Sequence, residues 1–198
     1  MRTDKKNILS SGDKRSRIIK AAAEVFSRKG FHQATVEEIS EKAAVGKGTV
    51  YAYFKNKKEL FLEMILYTRE KFLQRMREEI AQADSFHNRL KNMFEATVKF
   101  LLQHREMTQM LIADSPPLTE DLHQLLLEKD QEWFEQLLDL LQEATERGEI
   151  RPLNKSAAVY IINGALAMLG SRMILYEEDL DYEQLALDFT DIIYHGLK

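Results

Sequence analysis

Within positions 47–57 the chain gathers Lys47, Thr49, Tyr51, Tyr53, Lys55 and Lys57, more ammonium and hydroxyl groups than a plain structural helix needs. Lys and Tyr donate to phosphate oxygens, and Lys and Thr also reach base edges. Gly46, Gly48 and Ala52 stand between them, small enough to let a nucleic-acid backbone come close. The amides at a helix start add a pull on phosphate. Gly46-Lys47-Gly48-Thr49 also looks like a fragment of a nucleotide-binding loop. No glycine stands five positions before Gly46, however, no Ser or Thr follows Lys47 directly, and no strand precedes it. The chemistry is that of a surface for nucleic acid.

Those residues need two short helices and a turn to hold them. Thr35 and Glu38 have capping-box spacing directly before an apolar repeat at Val36, Ile39 and Ala43. A turn is expected at Ala44-Val45-Gly46, and a second helix from about Lys47, with Val50 and Phe54 one turn apart for the core. Asn56 and Glu59 repeat the capping spacing and open a longer helix through Leu60, Phe61, Met64 and Ile65. In front, Asp13 is expected to start a helix whose Ile18, Ile19, Ala22, Val25 and Phe26 form one stripe, with Gly30 ending it. The pattern is a helix-turn-helix over about residues 35–54, its second helix turned toward DNA.

Over about residues 14–66 the sequence resembles the TetR family of bacterial transcriptional repressors. Phe26, Gly30, Thr35-Val36, Ile39, Val45, Gly48, Tyr51, Tyr53-Phe54, Asn56-Lys57 and Leu60 carry the likeness. The resemblance implies that Thr35, Lys47, Gly48, Thr49, Tyr51, Tyr53 and Lys57 face DNA, with Tyr51 and Lys57 on phosphate. Gly46 and Lys55 complete the expected DNA-binding set. Two positions depart from the family: it usually has Gly where this chain has Ala44, and often Ser where this chain has Gly46. An Ala in a left-handed turn costs about 1 kcal/mol, which Gly46 is expected to relieve by shifting the turn.

The charge is divided along the chain. Residues 1–67 hold 14 Lys and Arg against 8 Asp and Glu, a balance of +6; the remaining 131 hold 14 against 24, a balance of −10. A basic head on an acidic body fits a molecule of which one end meets nucleic acid. Domains are expected at 1–12 (a flexible arm), 13–60 (the DNA-binding domain) and 61–198 (a helical effector-binding and dimerisation domain). The absence of cysteine excludes disulfides, thiolate chemistry and zinc fingers. No N-terminal apolar run suggests a signal peptide, so a cytoplasmic location is expected. The five histidines show no metal-ligand spacing, and neither a nucleophile elbow nor a catalytic carboxylate pair is evident. Neither enzyme activity, nor a metal, nor a cofactor is expected.

From Leu60 on, helical periodicity continues almost without a break, and sparse Gly and Pro complete an all-α protein. The expected helices end near Gln82, His104, Ala113, Gly148 (the longest) and Gly196, with Ser115-Pro116-Pro117 breaking the chain. Ala157–Tyr176 is apolar nearly all round and long enough to cross a bilayer. Asn163, Ser171 and Arg172 interrupt it, so it reads as a fully buried helix without membrane insertion. The resemblance implies dimerisation through the last two helices, for which Tyr160, Gly164, Met168, Ile192 and Ile193 are candidates. It also implies an effector site in the body. Met93, Phe100, Met107, Met110, Trp133 and Leu137 are the apolar candidates, and Gln103, His104, Asn163 and Arg172 the polar ones. The expected whole is an all-α homodimeric repressor on a palindromic double-stranded operator, released by a small hydrophobic effector. The alternative is a helical ligand-binding dimer with weak or non-specific DNA binding.

Overall fold

The computed structural model describes residues 4–113, 120–175 and 181–198, and every regular element among them is an α-helix. In order these are α1 (Asp4–Gln33), α2 (Val36–Lys42), α3 (Lys47–Tyr53), α4 (Lys57–Ala81), α5 (Phe86–Gln103), α6 (Arg105–Ala113), α7 (Glu120–Glu146), α8 (Lys155–Leu175) and α9 (Tyr182–Leu197). Two compact units divide the chain. One takes in the residues as far as Lys71 together with the segment from Glu106; the other holds Phe72–Arg105 and α7 to α9.

The first unit is built on the apolar stripe read from the sequence. Ile18, Ala22 and Phe26 of α1, Ile39 of α2, Val50 of α3 and Leu60, Phe61 and Met64 of α4 are buried almost completely. Phe26 meets Phe61 edge to face at 5.1 Å, and Phe31 packs on Phe61 at 5.0 Å. Gly30 ends the regular helix at φ 76°, ψ 169°, a region open in practice only to glycine. The helix begins well before Asp13, however: from Asp4 onward the segment expected as an arm has helical backbone. Extending an existing helix avoids the cost of nucleation, which lets it run through Ser10, Ser11 and Gly12. Because Gly30 interrupts α1, α7 with 27 residues is the longest unbroken helix among the described residues, as expected.

In the second unit α5 lies against both α8 and α9, and α7 packs on α8. Phe86, Leu90, Met93 and Phe94 of α5 share a core with Leu137 and Leu141 of α7, Val159 and Ile162 of α8 and Ala186 of α9. Phe94 stacks with Phe189 at 5.8 Å. Ser85 and Asp181 cap α5 and α9 by accepting from the amides of Asn88 and Gln184. Gly148 at φ 71° follows α7, while α9 runs one residue past Gly196. The break expected at Ser115-Pro116-Pro117 lies outside the described residues.

One helix departs from expectation in its burial. α8 is the only described helix long and apolar enough to cross a membrane, yet just 33% of that stretch is buried in the single chain. Ala158, Val159, Ile162 and Leu169 face the core; Tyr160, Ile161, Gly164 and Met168 face outward. The full burial expected of it is therefore not supplied by this chain alone. A helix apolar on every side carries no mark of which side its own core takes.

Candidate functional site

The turn and helix that present the basic surface are set by local hydrogen bonds. Thr35 Oγ1 accepts from the Glu38 amide at 3.3 Å, and the Glu38 carboxylate accepts from the Thr35 amide at 3.2 Å, closing the capping box. Lys29 pairs with the same carboxylate. Asn56 Oδ1 accepts from the Glu59 amide at 2.8 Å, while Glu59 reaches one residue further back, to the amide of Lys55 at 2.6 Å.

Between α2 and α3 the strain sits where the sequence reading did not place it. Ala44 itself takes the left-handed conformation, φ 52°, the only non-glycine to do so among the described residues. Gly46 is extended at φ −72°, ψ 149°, and serves as the N-cap of α3. The expected shift of the turn onto Gly46 does not occur. The Val45 amide is already committed to the Ser40 carbonyl at 3.0 Å and the Gly46 carbonyl to the Thr49 amide at 2.8 Å, which leaves position 44 to make the reversal.

The short helix α3 is anchored on one side only. Val50 and the following Phe54 are buried, Thr49 and Tyr53 half-buried, and Gly46, Lys47, Gly48, Tyr51 and Ala52 exposed, as are Thr35 and Lys55. A Cβ added at Gly48 would meet nothing within 4 Å, so that face is open to a large partner. The chain thus brings the expected residues to one exposed side of α3 and its flanks.

Two of its cations are already engaged within the unit. Lys47 forms an ion pair with Glu37 in the first turn of α2, and its ammonium lies 5.9 Å from the centre of the Tyr51 ring. The hydrogen bond from Lys47 holds the Glu37 carboxyl below its usual range, and Glu37 raises the Lys47 ammonium in return. Lys57 donates to the carbonyls of His32 at 3.1 Å and Ala34 at 2.9 Å, over the face of Phe31 at 4.7 Å. It closes the end of α1 as well as pointing to the surface. Arg15 is likewise tied to Glu63 and lies 5.6 Å from the Phe54 ring. Spacing along the chain gives no sign of these pairings.

The residues expected around an effector fall into several places. Met107 and Met110 belong to the first unit and are buried there; the others belong to the second. Met93 is sealed in the core of α5. The Phe100 ring meets those of Phe72 and His104 at a tilt, each at 4.5 Å, and partial desolvation lowers the His104 pKa. Gln103 is exposed and Arg172 half-buried. Trp133 and Leu137 do line a shared space, an open cleft of about 390 Å³ between α4, α5 and α7. Its other walls are Arg77, Ile80, Ala81, Arg89, Gln136, Asp139, Leu140 and Glu143. The Trp133 indole donates to Asn163 Oδ1 of α8 at 3.2 Å. Arg89, whose side chain is only 15% exposed, donates to Glu143 at 2.7 Å. Leu140 stands three residues after Leu137 and seven after Trp133, on the same face of α7, whereas the contributions of α4 and α5 carried no sequence signal.

Of the residues expected at a dimer interface, Tyr160, Met168 and Ile192 are exposed by 69%, 58% and 70%, and Gly164 is exposed beside them. Ile193 is not available: it is buried in the unit's own core. One residue around a helix of 3.6 residues per turn is a rotation of about 100°, enough to separate the two isoleucines. Ile161, 59% exposed, joins the outward face although the sequence reading omitted it. No cluster able to hold a metal ion occurs among the described residues.

Comparison with known proteins adds a family to this geometry. Residues 18–64 match the family described as bacterial regulatory proteins, tetR family, and residues 83–171 match a tetracyclin repressor-like C-terminal domain. The fatty acid metabolism regulator protein of Bacillus subtilis (strain 168) is 24% identical over 181 residues, 91% of this chain and 93% of that protein. A crystal structure of a transcriptional regulator FadR from Bacillus subtilis in complex with stearoyl-CoA is similar with a TM-score of 0.75 at 25% identity. The similarity covers 92% of this chain and 99% of that one. The fatty acid degradation regulator FadR from Bacillus halodurans gives a TM-score of 0.76 at 24% identity, covering 93% of this chain and 96% of its own.

Proposed function

Since the chain belongs to the tetR family of bacterial regulatory proteins, which are DNA-binding transcriptional regulators and not enzymes, we propose that it is a homodimeric, cytoplasmic repressor released from a palindromic operator by an apolar effector. The observation that carries the DNA-binding part is the one-sided anchoring of α3. Val50 and Phe54 are locked in the core while Lys47, Gly48, Tyr51 and Ala52 stay open. Two such helices about one DNA turn apart enter successive major grooves, with Thr35, Gly46, Thr49, Tyr53, Lys55 and Lys57 flanking them.

The dimer is formed by the outward face of α8, Tyr160, Ile161, Gly164 and Met168, with Ile192 of α9. A contiguous apolar face of this kind is the usual mark of a protein contact. For the effector, the relative's complex with stearoyl-CoA supports a long-chain acyl thioester. The cleft at Trp133 offers Ile80, Leu137 and Leu140 as an apolar wall for the acyl chain, while its Arg77 and Arg89 are accompanied by Asp139 and Glu143, with Arg89 bonded to Glu143. Its volume lies within the range of about 300–1,000 Å³ typical of ligand pockets.

The test is fluorescence anisotropy on DNA from upstream of the protein's own gene against scrambled DNA, with and without long-chain acyl-CoA. Preference for the upstream fragment, lost on adding acyl-CoA, supports the proposal. Tight upstream binding unaffected by acyl-CoA refutes the effector class. Equal binding to both DNAs favours the alternative of a ligand-binding dimer without sequence readout, for which the engagement of Lys47 and Lys57 within the head is the supporting observation. Trp133 is the only tryptophan, so its emission reports occupancy of the cleft directly.

A further inference from the structure

The ion pair between Lys47 and Glu37 sits on the surface that α3 offers to DNA, and it has a consequence for affinity. Lys47 opens α3; Glu37 lies in the first turn of α2, whose start the reciprocal Thr35–Glu38 bonds fix in place. Both side chains are about half exposed, 50% for Lys47 and 54% for Glu37, so the pair is open to water and to any incoming polymer. A carboxylate and a phosphate oxygen ask the same of an ammonium: a charge-assisted hydrogen bond at close range. Whichever holds Lys47, the other anion is left close by and repelled.

We propose that Glu37 sets the DNA affinity of this surface: its carboxylate occupies Lys47 as a stand-in for a backbone phosphate and damps the protein's electrostatic grip on DNA of any sequence. The proposal rests on the reading of α3 as the DNA-facing helix. A cation held by a carboxylate of its own chain neutralises no phosphate and releases none of the counterions condensed on DNA, so it contributes little to the salt dependence of binding. Freed, it contributes about 0.9 to the slope of log K against log salt. One such contact is worth about eightfold in affinity between 1 M and 0.1 M salt.

The experiment compares four full-length proteins, wild type, Glu37→Gln, Lys47→Gln and the double variant, on scrambled duplex DNA from about 0.05 to 0.3 M salt. Circular dichroism verifies that each is folded. Glu37→Gln is expected to bind several-fold more tightly than wild type near 0.1 M salt, with a slope steeper by about 0.9. In the Lys47→Gln background the same substitution is expected to change neither. An unchanged slope in Glu37→Gln overturns the proposal. So does an equal gain in both backgrounds, because it would show a general loss of negative charge rather than release of Lys47. Absence of binding by all four proteins at the lowest salt would overturn the DNA-facing reading of α3 itself, and the proposal with it.

Discussion

The turn between α2 and α3 offers a sharp test, because two adjacent small residues exchange the roles that their types suggest. Ala44 is left-handed at φ 52°, and Gly46 has an ordinary φ of −72°. The left-handed region costs an L-residue about 1–2 kcal/mol. Replacing Ala44 by Gly removes that strain but adds about 0.4–1 kcal/mol of chain entropy to the unfolded state. The net gain is about 0.5 kcal/mol, a little over twofold in an opening equilibrium. At Gly46 an added Cβ has nothing nearer than Thr49 Oγ1 at 4.0 Å, an ordinary contact. Gly46→Ala gains the same entropy and loses a similar amount because Ala is a poorer N-cap, so it is close to neutral. Native-state hydrogen exchange reads this locally through the amides of Ala43, bonded to the Ile39 carbonyl, and Phe54, bonded to that of Val50. Both amides are expected to exchange about twofold more slowly in Ala44→Gly. Had the turn placed Gly46 in the left-handed region, the signs would reverse: Gly46→Ala would speed exchange about fivefold or more and Ala44→Gly would speed it too. That result would refute the assignment of the strain to Ala44.

Lys57→Ala is expected to reduce the salt slope of DNA binding by about 0.9 and to lower the stability of the head as well, because the His32 and Ala34 carbonyls lose their donor. An unchanged slope with lowered stability would make Lys57 a structural residue only. Tyr160→Asp together with Ile192→Asp is expected to yield a folded monomer in analytical ultracentrifugation; a persisting dimer would move the interface elsewhere. Below pH 4.5 the second unit is expected to lose stability, since the bond from Arg89 keeps the Glu143 pKa depressed in the folded chain. Such a carboxylate stabilises above its unfolded pKa and ceases to do so as pH falls through the folded one. Thermal melts followed by Trp133 emission should therefore depend less steeply on acid in Glu143→Gln, and parallel profiles would contradict this.

What the sequence alone determined about this protein is what lies within a few residues along the chain. Thr35 with Glu38 and Asn56 with Glu59 start their helices because a capping bond spans three residues. The stripe from Ile18 to Phe26 is buried because helical neighbours stand three or four apart. The exposure of Lys47 and Tyr51 opposite Val50 follows from the same period. Tertiary structure decided the rest. Lys47 reaches Glu37 ten residues away, and Lys57 reaches carbonyls 23 and 25 residues away, distances over which side-chain type predicts no partner. The cleft at Trp133 takes its walls from three helices that share no sequence period. On α8 the chain is apolar all round, so only packing against α5, α7 and α9 selected which side is core and left Tyr160, Ile161 and Met168 outside. At the turn, the hydrogen bonds of Val45 and Gly46 obliged Ala44 to turn left-handed beside a glycine that was free to do so. Local patterns choose elements, whereas the hydrogen bonds and contacts of the assembled chain choose faces, partners and where strain is carried.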